Sequence, residues 1–541
     1  MKQFFFLFSC SLLLVGCQTE KDRGGANETK QPNIVWLVAE DQSPEWFPMY
    51  GDSTISLPNL EALADDGVIF ENAYSPAPVC APARSSIITG MYPTSLGTHN
   101  MRTHAPWRGK GNKPYPNLDI PSYSPLVPNG VKMFTQYLRE EGYYCSNGPK
   151  EDYNFQKLAA AWDESSKEHH YRNRREGQPF FSVFNFSVCH ESQIWARGKD
   201  SLFVDPAKVK VPPYFPDNDT IRHDLAVNYS NLKRLDDQLG EVISDLKEDG
   251  LYENSMIFFY GDHGGPFPRH KRALYETGTK VPMLIKFPKG QKAGSRDARF
   301  ISFVDLAPTV LSLAGIAPPK VMQGVAQFGP FEATKKPKYT FHASDRFDGV
   351  YDRLRAVRSE RYKYIKSYDT TLSHALPVKY REQMPMMREL RRLYANGELS
   401  EKQAHWLATT KPEEELYDLQ NDPYELNNLA RLPEVQDTLL QLRSVLQDWM
   451  EQTNDLGGIP EADLIAKWLP DGDQPKLPPL EMEDKDGHIR LLTKKSDATI
   501  LWKTPQDSLW NIYTQPIPNT TSFEAKSERI GYRDSAILTN S

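Results

Sequence analysis

The sequence predicts an α/β fold: a large, mainly parallel sheet wrapped by helices on both faces, followed by a smaller C-terminal α+β subdomain. Three observations carry this expectation. Continuous apolar runs of strand length recur along the first three hundred or so residues, amphipathic helical stripes lie between them, and the pattern changes near residue 336.

The elements follow in order. Ile34-Val35-Trp36-Leu37-Val38-Ala39 is apolar at every position, as a strand covered on both faces requires. Leu60, Leu63 and Ala64 follow Pro58 at helical spacing, and Ser85 to Gly90 read as the start of another helix. Val131 to Glu141 is helical in pattern and is stopped by Gly142, and Phe180 to Val188 is a second buried strand. Leu225, Leu232, Leu235, Leu239, Val242 and Leu246 form one stripe of a long helix ending at Gly250. Met256 to Tyr260 and Val281 to Phe287 are further strands. Ligands of such sheets bind beyond the carboxyl ends of the strands. The polar residues placed there are Glu40-Asp41, Cys189-His190 and Asp262-His263.

Beyond residue 335, Leu354 to Ile365 looks like a hairpin around Ser359-Glu360, and Leu439 to Trp449 is an amphipathic helix. The chain therefore divides into an export signal (1–16), a polar tether (17–31), a main domain (32–335), an α+β subdomain (336–455) and an accessory tail with short β-like stretches (456–541). No internal repeat is visible.

A formal net charge of −7 gives no general attraction to nucleic acid, so none is expected as a partner. Positive charge for an anionic substrate must then be concentrated locally. Lys2, the apolar stretch Phe4 to Val15 and Leu14-Val15-Gly16-Cys17 read as a lipoprotein signal, with Cys17 the acylated residue. The apolar run is too short for a permanent membrane span. This predicts a chain lipid-anchored to a bacterial outer membrane, facing the periplasm or the cell surface; a plain secretory signal is the rival reading. Of five cysteines, Cys10 leaves with the signal and Cys17 takes lipid. Cys145 and Cys189 are open to pairing, but two buried free thiols is the reading favoured here. Cys80 is the odd one.

Cys80-Ala81-Pro82-Ala83-Arg84, continuing Ser85-Ser86-Ile87-Ile88-Thr89-Gly90, resembles the signature of the type I sulfatases of the alkaline phosphatase superfamily. The resemblance extends over roughly residues 32–450. It implies an alkaline phosphatase-like sulfatase fold and a maturase that oxidises Cys80 to formylglycine, whose hydrate attacks sulfur. It also implies that Glu40, Asp41, Asp262 and His263 hold one Ca2+, a hard cation suited to clustered carboxylates. Glu40 stands where the family more often has Asp. Gly142-Tyr143 followed by Lys150 resembles the second family signature, which makes Lys150 a sulfate contact. His190 resembles the histidine that binds sulfate and protonates the leaving oxygen, and Lys271 the second sulfate-binding lysine. Arg84 is expected to brace the formylglycine. Asp152 occupies a position where the family commonly has His, so the base for the elimination step stays open between Asp152, His99 and His104.

The chemistry asks for the same groups independently. A sulfate ester is an anion with a poor leaving group, so its cleavage needs an activated oxygen, cations around the sulfuryl oxygens and a proton donor. Two stretches could read a sugar: His99-Asn100-Met101-Arg102 with His104, and Asp345-Arg346. Surface salt bridges are an equal account of them. The expected activity is sulfate removal from a sulfated polysaccharide or its oligosaccharides, algal such as ulvan or a glycosaminoglycan. The alternatives are a phosphonate or phosphate ester hydrolase on the same scaffold, and a non-catalytic glycan-binding lipoprotein.

Overall fold

A computed structural model of the chain describes residues 31–104 and 118–540. The export signal, Cys17 and almost all of the tether lie outside the described residues. Among those described, no helix is long and apolar enough to cross a membrane.

The main sheet has eight strands: β1 (Asn33–Ala39), β2 (Val68–Tyr74), β3 (Tyr144–Asn147), β4 (Glu164–Ser165), β5 (Phe180–Phe186), β6 (Ser255–Gly261), β7 (Met283–Lys286) and β8 (Ser295–Ser302). Their spatial order is β4-β3-β5-β1-β6-β7-β2-β8. β1 sits between β5 and β6, parallel to both. This explains why Ile34 to Ala39 are all buried: alternate side chains enter the two cores on opposite faces of the sheet. Val35 and Leu37 meet the long helix Asp219–Glu248 through Leu225, Leu232 and Leu239, whereas Ile34, Trp36 and Val38 meet Phe134, Phe181 and Tyr260.

The strand expected over Val281 to Phe287 is β7, and it runs antiparallel to both neighbours, β6 and β2. Only a four-residue helix, Glu276–Thr279, lies between it and β6. The chain leaves the carboxyl end of β6, makes a loop excursion over that edge and returns directly into the sheet, which reverses its direction.

Helix α1 (Pro58–Asp65) packs its Leu60, Leu63 and Ala64 inward, as the spacing requires. Helix α2 spans Cys80–Thr89, so it begins at the signature cysteine itself and not at Ser85. Pro82 is tolerated because it lies in the first turn, where its missing N–H has no intrahelical partner to lose.

The second sheet comprises β9 (Thr340–Phe347), β10 (Val350–Arg358), β11 (Tyr362–Ser367) and β12 (Glu414–Asp418), antiparallel in the order β12-β11-β10-β9. The β10–β11 hairpin turns at Ser359, whose N–H donates to the carbonyl of Tyr362 at 2.8 Å. The helix Gln436–Gln452 lays Leu439, Leu442, Leu446 and Trp449 against Val357, Tyr364 and Leu416 of this sheet. After it come a short helix, Glu461–Trp468, and two small antiparallel sheets built from residues 481–539. Residues Pro32–Ser541 form one compact unit. The tail is fastened to the main body by side chains such as Arg529, whose Nη2 donates to the Val127 carbonyl at 3.0 Å.

Candidate active site

Four strands that are neighbours in the sheet, β3-β5-β1-β6, each end in candidate residues. Lys150 follows β3, His190 follows β5 through the 3-10 turn Ser187–Cys189, Glu40 and Asp41 follow β1, and Asp262 and His263 follow β6. Parallel neighbours deliver their ends to one edge, which is how residues far apart in sequence converge.

Local backbone geometry aims the side chains. Asp41 is left-handed, with φ 55°, and its N–H donates to Oδ1 of Asp262 at 3.0 Å. Lys271 lies between two further left-handed residues, Arg269 (φ 64°) and Arg272 (φ 74°). Such conformations cost a non-glycine residue about 1–2 kcal/mol each and persist only where the surroundings over-determine them. Gly264 lets the excursion after β6 fold back tightly, because a Cβ there would sit 2.1 Å from the Thr277 carbonyl oxygen.

The central group is Asp41, Cys80, Asp262 and His263, all buried, with ligand-type atoms within 4.8 Å of one another. Nε2 of His263 lies 3.0 Å from Oδ1 of Asp41 and 3.4 Å from Sγ of Cys80. Sγ stands where the oxygen of a formylglycine would be. Glu40 is adjacent but outside this group of atoms: its Oε2 accepts from Lys150 at 2.8 Å, and its Oε1 is buried with no hydrogen-bond partner. Two aspartates, a glutamate oxygen without a partner and an imidazole suit a hard divalent cation.

Cations surround the group. Nζ of Lys271 donates to both carboxylate oxygens of Asp41, at 3.0 and 2.8 Å, and lies 3.3 Å from Nε2 of His190. Nδ1 of His190 accepts from the Ser192 N–H at 3.3 Å, which turns Nε2 toward the site beside Lys271. Burial alone would push the Cys80 thiol up, but Lys271 and Lys150 outweigh it and bring it down to about 6. Burial would likewise raise Asp41, yet Lys271, His190 and His263 hold it well below the usual carboxylate range. His263 is driven the other way: against the cost of burial, Asp262 and Asp41 raise it to about 10.

Arg84 is fixed beside the group. Its Nε donates to Oδ2 of Asp262 at 3.2 Å and its Nη1 to Oδ1 of Asn185 at 2.7 Å. It braces Asp262, and its charge also acts on position 80. Asp152, left-handed and half-buried, adds negative charge near Lys150 and Arg84.

The two stretches expected to read a sugar separate sharply. Asp345 and Arg346 are buried and engaged in ion pairs. Arg346 Nε and Nη2 donate to the carboxylate of Glu461 at 2.6 and 2.8 Å, and Asp345 accepts from Arg355 at 3.0 Å. A β-strand that carries a small sheet's inner face buries these charges, and only local partners make that tolerable. His99 is buried as well, Arg102 is half-buried with φ 58°, and His104 rests 3.4 Å from Ser124 Oγ, its pKa lowered to about 4 by burial. Met101 nonetheless packs with Cys80 and Phe347, which keeps this stretch at the rim of the site.

Sequence reasoning passed over several participants. Glu191 is buried between Lys271 at 3.2 Å and Arg272 at 2.8 Å, and these cations bring it down to about 2 despite burial. Its N–H donates to Oδ2 of Asp41 at 2.7 Å. An acid directly after His190 at a strand end was the available signal. Tyr380 is 39% exposed, with its ring centroid 6.3 Å from that of His190 and 5.1 Å from that of Trp195. Nothing local in the sequence marks that tyrosine. Cys145 and Cys189 are both free and buried.

A reactive side chain at a helix N-terminus, carboxylates poised for a cation and two lysines, Lys271 buried and Lys150 partly exposed, suit a hydrolase of anionic esters. The comparisons with known proteins make this specific. The sulfatase family model matches residues 32–145 and 129–316, and the model for the C-terminal part of N-sulphoglucosamine sulphohydrolase matches residues 261–407. An ulvan-active sulfatase of Formosa agariphila is 39% identical, over 98% of this chain and 96% of its own. Human N-sulphoglucosamine sulphohydrolase is 23% identical, over 82% of this chain and 93% of its own. The chain belongs to the sulfatase family, and it is an enzyme that removes sulfate from sulfated polysaccharides.

Among solved structures, an enzyme bound to its substrate D-glucosamine-2-N,6-O-disulfate matches with a TM-score of 0.57 at 16% identity, covering 80% of this chain and 99% of that one. A phosphonate monoester hydrolase from Silicibacter pomeroyi matches with a TM-score of 0.55 at 17% identity, covering 79% of this chain and 96% of that one. At such identities the likeness concerns the fold alone. Sulfatases generally use formylglycine and a metal ion, and the Asp41, Cys80, Asp262 and His263 group is the corresponding cluster here.

Proposed function

We propose that the substrate is ulvan, or an oligosaccharide cut from it, and that the enzyme is a calcium-dependent, lipid-anchored sulfatase. The observation that carries the substrate is the 39% identity to an ulvan-active sulfatase along nearly the whole of both chains. Residue 80, once converted to formylglycine, supplies the oxygen nucleophile, and a Ca2+ held by Asp41, Asp262, His263 and Glu40 supplies a positive charge that polarises the sulfate.

The chain's own residues do the rest. Lys150 and Lys271 bring two positive charges to the sulfuryl oxygens from opposite sides of the Asp41 group. Lys271 is buried, so water screens it little, while Lys150 is partly exposed at the mouth of the site. His190, held by Ser192, presents Nε2–H to the leaving oxygen and donates its proton as the ester bond breaks. Arg84 fixes Asp262, and Glu191 fixes Lys271. Tyr380, against Trp195 and beside His190, offers an apolar ring face for the sugar that carries the sulfate. Asp152 is the base proposed for the elimination step, since its charge acts on Lys150 and Arg84 beside position 80, whereas burial lowers His104 to about 4 and makes it a weak base.

Sulfate release measured on desulfation series of ulvan oligosaccharides, glycosaminoglycan disaccharides and matched phosphate and phosphonate monoesters tests this. Turnover of ulvan fragments well above the others is expected; preference for a phosphonate monoester, or for glycosaminoglycan units, would overturn it. Activity lost to chelation and restored by Ca2+ tests the ion. The lipobox Leu14 to Cys17 supports anchoring to the outer membrane. Fatty-acid labelling that vanishes in Cys17→Ala tests that part.

A further inference from the structure

A second set of ligand-type side chains meets away from the catalytic edge, where three segments of the subdomain converge. His374 lies in the loop after β11, His405 opens the 3-10 turn His405–Leu407, and Glu415 is in β12. Their ligand-type atoms lie within 4.8 Å of one another. Nε2 of His374 is 3.2 Å from Oε1 of Glu415, and Nε2 of His405 is 4.0 Å from its Oε2. Nε2 of His374, Nε2 of His405 and Oε1 of Glu415 are all buried, and the imidazoles meet the carboxylate as ion-pair contacts without well-aligned hydrogen bonds. Buried polar atoms are ordinarily bonded in good geometry, so three that converge without it suit a shared partner between them.

We propose that His374, His405 and Glu415 bind a divalent transition-metal ion of the Zn2+ class. Two imidazoles and one carboxylate are the donors such ions take, whereas the oxygen-rich catalytic edge suits a harder cation. Ligand atoms of a tetrahedral Zn2+ stand about 3.3 Å apart. The His374–Glu415 separation already matches this, and His405, whose side chain is 41% exposed and whose ligand atom lies within 4.8 Å of the others, has room to turn toward the ion. That exposure also leaves a side open for water as the fourth ligand. The carboxylate is oriented from behind: Oε2 of Glu415 accepts from the hydroxyls of Tyr275 at 3.0 Å and Tyr417 at 2.5 Å, which turns Oε1 toward the ion.

The ion clasps parts of the chain that bear on the catalytic edge. Tyr275 is four residues from Lys271, and a small cavity lined by Arg272, Tyr275, His374 and Arg381 lies between the cluster and that edge. Binding at His374 fixes the start of the loop that carries Tyr380. No redox or covalent step is involved. The function is to hold the loop.

The test is Zn2+ titration by calorimetry on chelator-stripped, full-length mature protein, in buffer with excess Ca2+ to fill the catalytic edge. Wild type is expected to bind one equivalent more than His405→Ala, and Zn2+ is expected to raise the melting temperature of wild type only. Equal stoichiometry in the two proteins, or no saturable Zn2+ binding by wild type, overturns the proposal. Should His405→Ala fail to fold, Co2+ on wild type decides. Intense visible absorption of four-coordinate Co2+, insensitive to Ca2+, is expected; absence of that band sinks the site.

Discussion

Glu40-Asp41 and Asp345-Arg346 are both adjacent charged residues, both buried, and both looked functional in the sequence. Their surroundings part them. Asp345 and Arg346 each pair with opposite charge, in Arg355 and Glu461. Glu40 and Asp41 instead meet carboxylates, imidazoles and ammonium groups from three other strand ends, beside Cys80. Burial of charge is therefore no mark of a site. What marks one is the convergence of several charged groups beside a group able to react.

The contrast can be broken at several points. The largest effect is expected at Cys80→Ala, which removes the nucleophile: sulfate release falls to background while the thermal midpoint stays near wild type. Arg346→Ala should do the opposite. Leaving Glu461 buried without its partner costs about 3–5 kcal/mol of stability, read by denaturant titration, while kcat of the folded fraction stays close to wild type. Should Arg346→Ala lose turnover at unchanged stability, the distinction drawn here fails. Lys150→Ala, Lys271→Ala and His190→Ala should each lower kcat/KM by about 10²-fold or more, equivalent to about 2.7 kcal/mol of transition-state stabilisation. Smallest is Tyr380→Ala, where loss of a ring face should raise KM about two- to tenfold on an oligosaccharide and leave kcat nearly alone. An equal fall in kcat would place that tyrosine in the chemistry and not at its rim.

Much of this was legible beforehand because parallel strands buried on both faces write themselves as unbroken apolar runs, and the residue just past each run falls on the ligand-binding edge. Glu40, Asp41, Asp262, His263 and His190 were placed by that rule alone. Lys150 follows a strand of only four residues, Tyr144–Asn147, too short to announce itself, and came through the family signature. The reversed direction of β7 was hidden, since Met283 to Lys286 read alike in either sense. Tyr380, Glu191 and the partners of Arg346 were hidden for another reason. Pairing across more than a hundred residues, as between Arg346 and Glu461, leaves no local pattern in a single sequence.

The 1% exposure of Cys80 at the head of its helix has a consequence in time as well as in space. On the proposed conversion of Cys80, an oxidising enzyme would find the side chain enclosed by Val79, Ala81, Met101 and Phe347 in the folded protein, and would have to meet the polypeptide while this stretch is still extended. Synthesis, oxidation and collapse would then run as a race with a fixed order of finish. A molecule that collapsed first would be locked with sulfur in place of oxygen.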